Sequence, residues 1–206
     1  MYNIIFYTAL VLVKIFFRVE VIGKENLIKN RGFILVSNHL HALDPAFIVL
    51  AYGRLKDKVM VLGKKELFAN KLACWFFKTT GVVALDRGKA DMNAINTVVD
   101  KIKGGSGCLV FPEGTRSKDG KLLNFKSGAV VIAHSTQVDV IPSAIIYDGG
   151  KLKLFGKVKI VCGKPLSCDE LGLNEEKSGA MLKKAKKMIM SSVSELLEAN
   201  RGDYNS

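Results

Sequence analysis

The sequence is poor in acid. Asp and Glu number 19 against 31 Lys and Arg in 206 residues, a formal net charge of +12. An excess of this size selects anionic partners: nucleic acid, a negatively charged bilayer or phosphorylated substrates. Paired cysteines are also lacking. Cys74, Cys108, Cys162 and Cys168 fall at irregular spacings with no C-x-x-C among them. That excludes a disulfide scaffold and a zinc site, and reads as reduced, buried thiols of an intracellular compartment. No repeat and no Pro/Ser-rich linker divides the chain, so one domain is expected. Disorder is excluded by a 49% hydrophobic content and a mean hydropathy of +0.20.

A long apolar run is missing too. The strongest candidate, residues 4–17 (IIFYTALVLVKIFF), falls short of the ~20 apolar residues that an ordinary transmembrane helix needs. No basic region precedes it and no small-residue cleavage site follows, which argues against a signal peptide. Lys14 and Arg18 stand one turn apart, where cations can snorkel to headgroups. Two readings remain: a helix lying on or dipping into one leaflet, or a helix docked on the sheet.

Beyond Arg18 the pattern predicts short strands over 19–22, 33–36, 59–62, 81–85, 108–111, 138–141 and 143–147, with a sheet-edge segment over 152–161. Helices are predicted over 45–52, 67–79, 91–103 and 128–134. Asp44-Pro45 would supply an N-cap and a first-turn proline. Met181, Leu182, Ala185, Met188, Ile189, Val193, Leu196 and Leu197 recur at helical spacing. Lys183, Lys184, Lys186 and Lys187 fill the other side of that helix, as a solvated face or as a basic face towards anionic lipid. The alternation implies one α/β fold: a mixed, mostly parallel central sheet flanked by helices over residues 19–206, with residues 1–18 as an N-terminal membrane-contact helix.

Chemistry concentrates in two segments. SNHLHALDP (37–45) follows a buried strand and opens a helix, the strand-end position where α/β folds gather ligands. His39 and Asp44, five apart, can meet, so that the carboxylate fixes the tautomer and leaves the other ring nitrogen a base. No Ser or Cys nucleophile motif accompanies them, which suits direct deprotonation of a substrate hydroxyl. The alternative is a loop histidine beside a helix cap. His41 adds no third ligand at metal spacing, so no metal is expected.

FPEGTRS (111–117) presents a carboxylate, a glycine, a hydroxyl and a guanidinium at another strand end. Arg116 can grip a phosphate bidentately, and Gly114 lets backbone N–H groups approach an anion. Glu113 could accept from a substrate hydroxyl or orient Arg116; the alternative is a surface turn with a salt bridge. Lys64 and Lys65 in GKKELF, and Arg87 in LDR, put further cations where strands stop, or are surface charges.

In order, NHLHALD, KKELF, GVVALDR, FPEGTRS and VIPSAI resemble the 1-acyl-glycerol-3-phosphate acyltransferase family, the bacterial lysophosphatidic acid acyltransferases. Its blocks are N-H-x-x-x-x-D, a lysine before E-L-F, G-x-x-x-x-D-R, F-P-E-G-T-R-S and a V-P-like segment. The resemblance covers about residues 18–165. It implies transfer of a fatty acyl group from acyl-CoA or acyl-carrier-protein to the sn-2 hydroxyl of lysophosphatidic acid, with no cofactor. It further implies His39 as base and Asp44 as its support. Arg116, Lys64, Lys65 and Arg87 would hold the phosphate, Glu113 and Gly114 would shape the glycerol site, and Thr115, between Gly114 and Arg116, would contact substrate. The implied location is the cytoplasmic face of the cell membrane, monotopic or peripheral, against an anionic surface. Nucleic acid is not an expected partner, since no reader motif and no interleaved exposed aromatics accompany the basic residues.

Overall fold

The computed structural model describes residues 2–52, 59–85 and 92–201. Seven strands form one sheet: β1 (Arg18–Ile22), β2 (Phe33–Ser37), β3 (Val59–Lys64), β4 (Val82–Leu85), β5 (Gly107–Val110), β6 (Val140–Tyr147) and β7 (Lys157–Cys162). Their spatial order is β1-β7-β6-β2-β5-β3-β4. Every pairing is parallel except β6–β7.

The central strands are continuous apolar runs because both faces are covered. On β2, Ile34 and Val36 face one layer with α4 (Met92–Lys103), α5 (Gly128–Thr136) and α6 (Gly179–Arg201). Phe33 and Leu35 face the other, with α1 (Tyr2–Phe16) and α2 (Asp44–Ala51). Such two-sided burial is what parallel sheets require. The last helix buries Met181, Ala185, Ile189, Val193 and Leu197 at a strict four-residue spacing, and Lys183, Lys184 and Lys187 are exposed. At the other end, α1 turns Val13 and Phe17 towards the core, where Phe17 meets Phe47 edge-on at 5.1 Å.

The sheet differs from the sequence expectation in three places. Residues 138–147 hold one strand, not two. Pro142 stays inside β6 because its nitrogen and carbonyl face away from β2, towards the place where β7 ends: its carbonyl accepts from Gly163 N–H at 2.8 Å, just beyond Cys162, and the ladder to β2 loses no donor. The segment 152–161 is not an edge. Only Lys157–Cys162 is strand, and β1 covers its outer side. The predicted helix 67–79 is broken into a 3-10 turn, Lys65–Phe68, and α3 (Lys71–Thr79). Of the four free cysteines, Cys108 and Cys162 are buried, whereas Cys74 and Cys168 are only partly so.

This topology positions the site. β6, β2 and β5 lie side by side and parallel, so their carboxyl ends deliver Tyr147, Asn38-His39 and Phe111–Glu113 to the same rim.

Candidate active site

At the end of β2 the ladder to β6 is extended by a side chain. Asn38 is buried; its amide donates to the Ile145 carbonyl at 3.0 Å and its carbonyl oxygen accepts from Ile145 N–H at 2.8 Å. The chain then leaves the sheet at His39. Both backbone groups of His39 are taken by the segment after β5. Its N–H donates to Glu113 Oε1 at 2.8 Å, and its carbonyl accepts from Ser117 N–H at 2.8 Å. The imidazole stacks on Phe111, with ring centroids 4.2 Å apart. The two chemical motifs are therefore strapped together through the histidine backbone.

Asp44 is fully buried. Its Oδ2 meets His39 Nδ1 at 2.8 Å and accepts from Leu40 N–H at 2.6 Å and His41 N–H at 2.8 Å. Its Oδ1 accepts from the Tyr147 hydroxyl. This corrects the expected helix cap. Asp44 is the first residue of α2, Leu43 occupies the cap position, and no side chain caps the helix. The carboxylate turns back into the 38–44 loop because four donors converge on it there, which satisfies a charge removed from water. An acceptor-only carboxylate makes Nδ1 the protonated ring nitrogen, so Nε2 carries the free lone pair.

Glu113 is also buried, and both oxygens are engaged: Oε1 with His39 N–H, Oε2 with Leu123 N–H at 3.0 Å. Burial pushes its pKa above the usual carboxylate value, against the two N–H donors that favour its charge. The geometry thus uses this carboxylate as a clasp between chain segments. Gly114 beside it sits at φ +73°, which glycine adopts without strain.

Next to the pair lies an open cleft of about 830 Å³. Leu40, His41 and Tyr147, whose N–H and hydroxyl groups bond to Asp44, line it, together with Thr115, Arg116, Lys118, Asp119, Lys151 and Leu152; His39 and Asp44 themselves do not. Thr115 and Arg116 are exposed. Lys65 is exposed at the end of β3 and does not line this cleft. Lys64 is the last residue of β3. Arg87 lies outside the described residues.

Two contributors escaped sequence reasoning. Asn38 offers no signal beyond its place before the histidine. Tyr147 offers one: it ends a mostly apolar strand, where a buried phenol needs a partner. Burial raises its pKa, and the Asp44 charge raises it further, so it remains a donor.

Comparison with known proteins gives concordant results. The family described as Acyltransferase matches residues 18–146. A Bacillus subtilis protein named 1-acyl-sn-glycerol-3-phosphate acyltransferase is 34% identical over 150 residues, 72% of this chain and 73% of that one. A chloroplast protein of the same name from Arabidopsis thaliana is 30% identical over 161 residues, and this chain spans only 44% of its length. The crystal structure of the Thermotoga maritima 1-acyl-sn-glycerophosphate acyltransferase PlsC superposes with a TM-score of 0.69. It is 28% identical, over 95% of this chain and 80% of that one.

Proposed function

The chain belongs to the acyltransferase family, and from that premise we propose that it acylates lysophosphatidic acid at the sn-2 hydroxyl, giving phosphatidic acid. The observation that carries this reading is the His39 Nδ1–Asp44 Oδ2 contact of 2.8 Å beside a cleft walled by Arg116. His39 Nε2 takes the acceptor hydroxyl proton. The resulting alkoxide attacks the thioester carbonyl, and the tetrahedral intermediate collapses with loss of the thiolate, which recovers the proton from His39. Asp44 orients the ring and stabilises the imidazolium. General-base help of this kind contributes ~100- to 10,000-fold.

Arg116 and Thr115 hold the acceptor phosphate, and Lys64, Lys65 and Arg87 add positive potential to it. The donor is acyl-CoA or acyl-carrier-protein, and no cofactor enters the reaction. The enzyme sits on the cytoplasmic face of the membrane through α1. No described helix is long and apolar enough to cross a bilayer. The 15 residues of α1, at ~1.5 Å each, reach only ~23 Å.

The test is phosphatidic acid formation by the purified protein with lysophosphatidic acid and each donor supplied separately. Product with either donor supports the reading. No product with either, alongside product from another lysolipid, would reassign the acceptor.

A further inference from the structure

Between β6 and β7 the chain forms a strap, residues 151–156, whose tip is apolar and exposed. Leu154 is 64% and Phe155 59% exposed. Phe155 has φ +60°, a left-handed conformation that bulky residues seldom adopt. Its backbone is pinned there. Phe155 N–H donates to the Phe16 carbonyl at 2.7 Å, Gly156 N–H to the Lys153 carbonyl at 3.0 Å, and Arg18 N–H to the Gly156 carbonyl at 3.0 Å. The Phe155 ring lies 6.1 Å from that of Phe16. Strain of this sort persists where surrounding contacts over-determine it, and is found at functional positions. A glycine would close the same turn without strain, and despite its contact with Phe16 most of the phenyl ring stands in water.

The last turns of α1 continue the patch. Val11, Leu12, Ile15 and Phe16 are exposed, while Val13 and Phe17 face the core. The rim is basic: Lys14, Arg18, Lys151 and Lys153 are all exposed. Of the acids nearby, Glu20 pairs with Lys157 at 2.8 Å, and Asp148 lies at the start of the connection. An apolar surface ringed by cations suits an anionic bilayer, with large side chains below the headgroups and lysines among them. The strap is also a wall of the cleft, through Lys151 and Leu152.

We infer that the 151–156 strap and the exposed stripe of α1 form one bilayer-seating surface, with Leu154 and Phe155 inserted and the cleft mouth held at headgroup depth. This rests on the membrane reading of α1 and adds a second point of insertion.

The test is co-sedimentation of the full chain with vesicles of phosphatidylcholine and phosphatidylglycerol, with pure phosphatidylcholine as reference. Leu154→Ser/Phe155→Gly, whose glycine accepts the backbone at 155 without strain, is expected to weaken binding at least ~10-fold. Its far-ultraviolet circular dichroism should match the wild type. As a positive readout, the indole of Leu154→Trp in a Trp75→Phe background should be quenched by brominated lipid. Wild-type binding by the double variant, or an indole emission at position 154 that bromine leaves unchanged, overturns the inference. If Val11→Ser/Ile15→Ser loses binding while the strap variant keeps it, the strap fails and the α1 reading stands. If wild-type protein ignores both vesicles, the α1 reading itself fails. A concentration-dependent dimer that the strap variant dissolves, with vesicle binding unchanged, overturns it in favour of a second copy of this chain.

Discussion

The His39–Asp44 pair and the cleft beside it are built on opposite plans. On the His39 side almost every polar atom is engaged: Asp44 accepts from His39, Leu40, His41 and Tyr147, and the His39 backbone is held by Glu113 and Ser117. On the Arg116 side, Thr115, Arg116, Lys118 and Lys151 stand exposed on loops. A base must have one tautomer and one direction, and buried, satisfied networks supply that rigidity. A headgroup site must admit a charged ligand from a lipid surface, and exposed cations on long side chains do so at little desolvation cost. Substitutions on the first side should therefore lower turnover, and those on the second should raise KM.

The largest effect short of removing the base is expected from Asp44→Asn. The amide cannot receive all four donors, and it no longer fixes Nδ1–H. Turnover should fall at least ~100-fold, measured per folded molecule because unpaired buried donors also cost about 1–3 kcal/mol of stability. Arg116→Ala comes next. Loss of a charge-assisted bond of about 1.5–3 kcal/mol should raise the acceptor KM ~10- to 100-fold, with the donor KM little changed. A rise in the donor KM instead would move the arginine to the donor site and blur the contrast between the pair and the cleft.

Tyr147→Phe sharpens it. The lost donor should reduce kcat ~10-fold with the acceptor KM near normal. Because burial, and then the Asp44 charge, raises the Tyr147 pKa, the wild-type and variant alkaline limbs should coincide up to pH 10. The smallest effect belongs to Glu113→Gln. Burial raises the Glu113 pKa above its ordinary 4.5, so folding favours its protonated form. The stability that this proton linkage gives the wild type over the non-titrating variant is complete below pH 4.5 and is lost as pH rises through the folded pKa. Urea midpoints at pH 4 and pH 7 should show the wild-type advantage larger at pH 4.

What the sequence made legible was local. FILV over 33–36 marked a doubly covered strand, the 181–197 spacing marked a buried stripe, and N-H-x-x-x-x-D placed a histidine and a carboxylate within one loop. What it hid came from distant segments. Asp44 reads as the partner of His39 or as a helix cap, but the Tyr147 hydroxyl, 103 residues away, that occupies its other oxygen is not legible at all. Glu113 reads as a substrate ligand until His39, 74 residues away, takes one of its oxygens. Pro142 reads as a strand end because the end of β7 beside it is not a property of its neighbours in sequence. The exposed aromatic at 155 has no periodic signal at all; only its backbone angle and its contact with Phe16 single it out.

The central claim is that His39 Nε2 removes the acceptor proton. It is tested most directly by single-turnover formation of phosphatidic acid with saturating lysophosphatidic acid and thioester donor, comparing wild type with His39→Ala. The account predicts a rate at least ~100-fold lower in the variant, measured per folded molecule because Asp44 loses one of its four donors, with acceptor binding close to wild type, since the backbone bonds of His39 to Glu113 and Ser117 remain. A variant that forms product within a few-fold of the wild-type rate would contradict it.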